Sequence, residues 1–212
     1  MAEQVTDVPD VERLTAEIGR LRGQIAHLEQ RLEELDKLAY HDWLVPLPNR
    51  RGFVRQLQRL IARLDRYDEP SAMLYIDVDG LKRVNDRHGH RAGDAALIHV
   101  AGLLTQGVRA TDCVARLGGD EFGVLLTRVT QQEAQETATR LLETVERGEF
   151  FYQSELVPLS FAVGVTVIQE GDSAEAVMER ADKAMYADKR ERETSGAVTG
   201  ALRKLGDKLR KQ

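Results

Sequence analysis

Cysteine, tryptophan and long apolar runs are scarce in this sequence. Its 212 residues include one cysteine and one tryptophan, and a lone cysteine, Cys113, cannot form a disulfide within the chain. The longest mainly apolar stretch, residues 157–168, is shorter than the roughly 18 residues that a membrane-spanning helix needs. The chain begins with acidic and polar residues, without the basic and apolar regions of a secretory signal. We therefore expect a cytoplasmic protein without a transmembrane segment.

The sequence also lacks an excess of positive charge. The 30 Lys and Arg residues are outnumbered by 35 Asp and Glu, which gives a net charge of −5. Because no basic field covers the whole protein, we expect no nucleic-acid partner, and any phosphate ligand must be held locally. Charged residues make up 31% and hydrophobic residues 42% of the chain, which is typical of a folded protein and not of a disordered or fibrous one.

Apolar residues near the start of the chain recur at alternating steps of three and four, which is the heptad pattern of a coiled coil. The row consists of Val11, Leu14, Ile18, Leu21, Ile25, Leu28, Leu32 and Leu35. Placing Val11 at position a puts leucine at every d position, and Glu17 then faces Arg22 of a partner helix in a parallel dimer. We predict that residues 1–40 form a homodimeric parallel coiled coil. The alternative is one amphipathic helix that lies on its own domain.

The apolar period changes after residue 40. Helices are predicted at residues 50–66, 81–87, 93–108, 131–146 and 174–189, and strands at 71–78, 113–117, 121–126, 150–155 and 158–168. Asn49 is a suitable N-cap for the first of these helices. We therefore predict an α+β domain over residues 41–194, with helices packed against a sheet. Residues 195–212 form a basic, weakly amphipathic tail.

Four acidic side chains are predicted to converge at one end of the sheet. Asp77 and Asp79 alternate with apolar residues at the end of a buried strand, so both project from the same face. Asp120 and Glu121 directly follow a glycine pair at the tip of a hairpin. Hard oxygen ligands beside an open glycine tip suit Mg²⁺ that carries nucleotide phosphates. For the hairpin alone, a type I′ turn with solvated acids is an equally good interpretation.

Further motifs accompany this acidic turn in a fixed order. They are LPNR at residues 47–50, DVDGLKRVND at 77–86, GH at 89–90, GD at 93–94, RLGGDEF at 116–122, a glycine at 164 and ADKAMYADK at 181–189. Together they make residues 42–190 closely resemble the GGDEF domain of diguanylate cyclases. Several motifs at the family's spacing are far more specific than the letters GGDE alone.

The resemblance implies a fold, a reaction and a set of residue roles. The implied fold is that of nucleotidyl cyclases and polymerase palms, a five-stranded central antiparallel sheet wrapped by helices. The implied reaction joins two GTP into cyclic di-GMP and releases two pyrophosphates. The implied residues are Asp120 and Glu121 for catalysis; Asp77, the carbonyl of Val78, Asp120 and Glu121 for two Mg²⁺, with Mn²⁺ as a substitute; and Asn85, Asp94, Lys82, Gly118, Gly119 and Lys189 for GTP.

The same resemblance makes dimerisation a requirement. Each domain holds one GTP, and the 3′-hydroxyl of one must attack the α-phosphate of the other, so two domains must face each other. A monomer is therefore expected to be inactive, and the predicted coil would tether the pair.

An RxxD motif resembles the family's inhibitory site for its product, cyclic di-GMP. Arg109 and Asp112 lie at the family's spacing before Gly118, and Arg140 stands where a second arginine of that site often lies. Arginine can stack on guanine and bond its Hoogsteen edge. We expect product inhibition; an ordinary ion pair at a helix end is the alternative.

Two departures from the family pattern leave other functions open. Val45 and Pro46 replace the usual Thr-Gly, and the Gly-Arg-Asn expected after Lys189 is absent, so that Arg190 or Arg192 would have to supply the missing arginine. A catalytically weak GGDEF module that binds cyclic di-GMP as a sensor is the main alternative, and a purely structural coiled-coil scaffold is the third. The input signal and any upstream partner at the coil or tail stay open.

Overall fold

The computed structural model describes the backbone of residues 8–209 and the side chains of residues 12–145 and 147–192. The chain divides into two units, one ending at Ala39 and the other beginning at Tyr40. The described part of the first unit lies entirely in helix α1 (Val8–Tyr40), whose last residue belongs to the second unit. Within the described residues, no helix combines the length and apolar character needed to cross a bilayer.

The predicted heptad row is solvent-exposed along α1. From Leu14 to Leu35 its members are between 44% and 64% exposed; the side chain of Val11 lies outside the described residues. Glu17, predicted to face a partner helix, here forms an ion pair with Arg20 on its own helix at 2.5 Å. An uncovered apolar row is what one strand of a coiled coil would show, and the coiled coil stays a prediction.

The second unit alternates helices with strands. Its elements are α2 (Arg50–Tyr67), β1 (Ser71–Asp79), α3 (Leu81–His88), α4 (His90–Gln106), β2 (Cys113–Arg116), β3 (Glu121–Thr127), α5 (Gln131–Arg147), β4 (Phe151–Tyr152), β5 (Glu155–Leu156), β6 (Ser160–Val167) and α6 (Ala174–Leu209). Asn49 caps α2 as predicted, because its side chain accepts hydrogen bonds from the backbone N–H groups of Arg51 and Gly52.

The main sheet is antiparallel throughout, with strand order β2-β3-β1-β6. Its β1 strand is buried on both faces, since one face packs against α3, α4 and α5 and the other against α2 and α6. This layered arrangement is the predicted α+β fold of a sheet wrapped by helices.

The predicted count of five strands in the central sheet is wrong for the described residues, because the main sheet has four. The segment predicted as one strand at residues 150–155 reverses direction and forms a separate hairpin, β4–β5. Gln153 and Ser154 have φ angles of 48° and 67°, and two left-handed residues in succession are typical of a tight hairpin turn.

The last helix is longer than predicted and packs closely on the sheet. A Cβ atom at Gly164 in β6 would lie 2.0 Å from the carbonyl oxygen of Ala181 in α6, so only glycine allows the two backbones to approach this closely. This contact places the part of α6 around Lys189 beside the end of β1. The backbone of α6 continues to Leu209, whereas the side chains of the predicted amphipathic tail lie outside the described residues.

Candidate active site

The two acidic segments meet at the end of the main sheet. Asp77 of β1 pairs in register with Glu121 of β3. The backbone N–H of Val78 donates to the carbonyl of Asp120 at 3.0 Å. The structure thus brings together all four residues that the resemblance nominates as metal ligands.

The two glycines at the hairpin tip are needed for the room that they leave and not for a left-handed backbone conformation. Neither Gly118 nor Gly119 has a positive φ, so the tip is not the type I′ turn considered as an alternative. A Cβ at Gly118 would lie 2.8 Å from Oε2 of Glu121, whereas one at Gly119 would meet no atom within 4 Å. Gly118 therefore leaves room for the Glu121 carboxylate, and Gly119 leaves the tip open to an approaching ligand.

Lys189 of α6 reaches the acidic cluster instead of pointing away from it. Its Nζ lies 2.5 Å from Oδ1 of Asp77 and 3.5 Å from Oδ1 of Asp79. Burial alone would lower the pKa of the Lys189 ammonium, but its hydrogen bond to Asp77 and the charges of both carboxylates raise that pKa above its usual range. The carboxylates thus already hold one positive charge between them.

The surroundings of Asp79 disfavour the ionised form of its carboxyl group. Burial raises the pKa of the Asp79 carboxyl above its usual range; the charge of Asp77 adds to this effect, while the charges of Lys189 and Arg192 oppose it. Arg192 also forms an ion pair with Asp188 at 3.0 Å, one helical turn away. Arg192, one of the two arginines considered as replacements for the family's missing one, therefore lies near the acids.

The oxygen donors fit a magnesium ion that shares its coordination with a nucleotide. Among the described side chains, no three His, Cys, Asp or Glu residues are grouped so that they could hold a metal by themselves. Mg²⁺ takes one or two protein carboxylates and completes its shell with water and phosphate oxygens. Asp77 with Asp120 or Glu121, together with the carbonyl of Val78, matches that requirement.

Asn85, on the helix that follows β1, offers an unused acceptor. Within the described part of the chain, its Oδ1 atom is buried and has no hydrogen-bond partner. A Cβ at Gly93 would lie 2.0 Å from this atom, so the glycine makes room for the amide. Half-buried Asp94 follows on α4, and Lys82 is exposed on α3. Guanine presents the N1–H and N2–H donors that such acceptors need.

Arg116 is a functional candidate that the sequence motifs did not identify as one. Its buried guanidinium donates to the carbonyl of Gly119 through Nε at 3.3 Å and Nη2 at 2.8 Å. It also pairs with Asp42 at 3.1 Å, and the same Asp42 oxygen accepts from the backbone N–H groups of Leu44 and Val45. Arg116 therefore connects the segment before α2 to the glycine turn.

That same segment accommodates the unusual Pro46. The N–H of Leu47 donates to the carbonyl of Val45 at 2.7 Å, which closes a three-residue turn around the proline. Proline has no N–H to lose at the centre of such a turn, and its restricted φ suits the bend. Buried Val45 and Leu47 anchor the turn on either side.

The residues of the predicted inhibitory site lie around the loop between α4 and β2. The Asp112 carboxylate accepts hydrogen bonds from the backbone N–H groups of Arg109 at 3.0 Å and Thr127 at 3.1 Å. The bond to Arg109 therefore uses its backbone and does not involve its exposed guanidinium. Arg140 donates to the carbonyl of Gly107 at 2.9 Å, which brings it to the same loop. Asp112 also lines a cavity of about 710 Å³ beside α2.

Comparisons with known proteins agree on the family. The family model described as "Diguanylate cyclase, GGDEF domain" matches residues 39–195. The diguanylate cyclase TpbB of Pseudomonas aeruginosa is 35% identical over 182 residues, which cover 85% of this chain and 42% of that protein. DgcE of Escherichia coli, named a probable diguanylate cyclase, is 38% identical over 159 residues, or 74% of this chain and 14% of DgcE. The chain thus spans less than half the length of either relative.

A solved structure from another bacterium has a similar fold. It contains the coiled coil and GGDEF domain of DgcB from Caulobacter crescentus in complex with c-di-GMP. It superposes with a TM-score of 0.77 at 27% identity and covers 84% of this chain and 95% of that one. The chain belongs to the GGDEF domain family of diguanylate cyclases.

Proposed function

We propose that this chain condenses two GTP molecules into cyclic di-GMP with release of two pyrophosphates. The observation that carries the proposal is the meeting of β1 and the glycine hairpin, where Asp77 pairs with Glu121 and Val78 bonds to Asp120. Mg²⁺ bound there supplies charge neutralisation for the triphosphate and the leaving pyrophosphate. Supporting evidence is the buried acceptor of Asn85, which a guanine donor would satisfy.

In this proposal the side chains of the site divide the remaining tasks of the reaction. Asp120 takes the proton from the 3′-hydroxyl, and Asn85 with Asp94 reads the Watson–Crick edge of guanine, since an adenine would present an acceptor to these acceptors. Lys82 and Lys189 contact phosphates as point charges. Lys189 is bonded to Oδ1 of Asp77 in the present arrangement, and because an ammonium has three donors it can keep this bond while it contacts a phosphate.

The proposed organisation has three parts: a dimeric coil at residues 1–40, the GGDEF domain at 41–194 and a tail at 195–212. One domain holds one GTP, so the reaction takes place between two domains of a homodimer. The exposed apolar row of α1 supports this arrangement, because a second helix would bury it.

The test of the proposed function is incubation of the purified chain with GTP and Mg²⁺, followed by chromatographic identification of the products. Cyclic di-GMP and pyrophosphate in a 1:2 ratio are expected from the stoichiometry of the condensation. Binding of cyclic di-GMP without turnover would instead support the sensor alternative, which the absence of Gly-Arg-Asn after Lys189 favours. A chain that neither converts GTP nor binds cyclic di-GMP would leave only the scaffold interpretation.

We also propose that cyclic di-GMP inhibits the enzyme at Arg109, Asp112 and Arg140. Arg109→Ala removes the guanidinium that would stack on guanine, so the product concentration that halves the initial rate is expected to rise at least about tenfold, which corresponds to about 1.4 kcal/mol. The measurement is the initial rate of pyrophosphate release at increasing cyclic di-GMP. Arg147→Ala, an exposed arginine on α5, is the matched control, and an unchanged inhibition curve for Arg109→Ala would contradict the site.

A further inference from the structure

Tyr75 lies directly behind the acidic cluster and has no role in the reaction described so far. It belongs to β1, two residues before Asp77, and so projects from the same face of the sheet. It pairs in register with Gly123 of β3, which makes Glu121 its diagonal neighbour. Tyr75 is only 4% exposed, so a hydrogen bond from its hydroxyl to a group of the protein would be little weakened by solvent.

The carboxylate of Glu121 lies beside it, because the two residues are diagonal neighbours on adjacent strands and line the same cavity. Burial, followed by the charge of Glu121 and a hydrogen-bonding interaction with it, raises the pKa of Tyr75 to about 12. The hydroxyl therefore keeps its proton near neutral pH. A protonated phenol facing a carboxylate acts as the donor, because an ionised carboxylate can only accept.

The surroundings show why Glu121 needs such a donor. On one side its Oε2 atom lies against Gly118, which provides no side chain to hold it. On the other side a cavity of about 420 Å³ opens between α2 and α6, lined by Tyr75 and Glu121 together with Arg50, Glu179 and Asp182. Glu121 already borders this cavity, so a carboxylate without an anchor is free to turn towards Arg50 and away from Asp77.

We propose that Tyr75 is a positioning residue for Glu121. Its hydroxyl holds one carboxylate oxygen of Glu121 and so keeps the side chain directed towards the site shared with Asp77 and Asp120. Tyr75 itself touches neither GTP nor metal, and it acts only through Glu121. The inference rests on the proposed function, in which Glu121 takes part in holding the cation.

Tyr75→Phe tests the inference, because it removes only the hydroxyl and keeps the aromatic ring in the core. The expected result is an increase of about threefold or more in the Mg²⁺ concentration that gives half-maximal turnover, together with a kcat about tenfold lower, as expected for loss of a hydrogen bond to a charged group. KM for GTP at saturating Mg²⁺ is expected to stay within about twofold. Tyr152→Phe, in the separate β4–β5 hairpin, is the matched control.

A purely structural role for Tyr75 would give a different result. It would lower the unfolding temperature without moving the Mg²⁺ dependence, and equal Mg²⁺ dependence for Tyr75→Phe and the wild type would overturn the proposal. If Tyr75→Phe is too unstable for turnover measurements, Glu121→Ala, which removes the acceptor, and the double variant complete a cycle of unfolding free energies. In that cycle, additive effects of the two substitutions on the free energy of unfolding would also overturn the proposal.

The failure of this inference is distinguishable from failure of the proposed function. If the wild type forms no cyclic di-GMP, the proposed function fails. The rise in unfolding temperature that Mg²⁺ and GTP together cause can still be compared between the wild type and Tyr75→Phe. A smaller rise in unfolding temperature for Tyr75→Phe than for the wild type would then support the positioning role. An equal rise, or no rise in either protein, would overturn it.

Discussion

Asp120→Asn is expected to lower turnover at least about a thousandfold while the protein remains folded. The substitution removes the charge that would neutralise the cation and the group that would accept the 3′-hydroxyl proton, and loss of a general base alone costs about 10²- to 10⁴-fold. The bond that holds the hairpin to β1 uses the backbone carbonyl of Asp120, which asparagine retains. Pyrophosphate release at saturating GTP and Mg²⁺ measures the effect.

Asp65→Asn is the matched control for this experiment. Asp65 is an exposed aspartate of α2 that accepts a hydrogen bond from the backbone of Gly171, and an asparagine can accept the same bond. It should therefore retain wild-type turnover and stability. If Asp120→Asn kept turnover within about tenfold of the wild type, Asp120 would not be the base, and the proposed division of roles among the acids would be wrong.

The meeting of the acids was predictable from the sequence because it depends on short-range rules. Alternation in a strand places Asp77 and Asp79 on one face, and a glycine-tipped hairpin places Asp120 and Glu121 beside each other. The structure confirms both strands and the hairpin between β2 and β3. These rules do not show which strands are neighbours in the sheet. In the structure, β1 pairs antiparallel with β3, and this pairing brings the two acidic segments together.

The contacts that link distant segments could not be predicted in this way. Arg116 and Asp42 are separated by 74 positions in the chain, and neither the period of a helix nor that of a strand indicates such a pair. Tyr75 resembles an ordinary core residue of a β strand, since tyrosine is common there, and only the fold shows which carboxylate faces its hydroxyl. The turn at Gln153 and Ser154 was missed because neither residue is glycine or asparagine, the usual indicators of a tight reversal.

Disruption of the predicted coil is expected to have the second large effect. In Leu21→Lys/Leu28→Lys, two d positions carry charges that would be buried in a parallel dimer, which a coiled-coil interface does not tolerate. Both leucines are exposed on α1 as described, at 44% and 57%, so a single chain should keep its fold. Tethering typically strengthens an association by about 10²- to 10⁴-fold, so turnover per chain at submicromolar protein should fall at least about 100-fold.

The same variant should regain turnover as its concentration rises, because domains without a tether can still meet by diffusion. Sedimentation gives the oligomeric state, and pyrophosphate release across a range of protein concentrations gives the turnover. Ala16→Lys/Ala26→Lys adds the same charges at outward heptad positions of α1 and should remain dimeric and active. A monomeric Leu21→Lys/Leu28→Lys with wild-type turnover at every concentration would show that catalysis does not take place between two tethered domains.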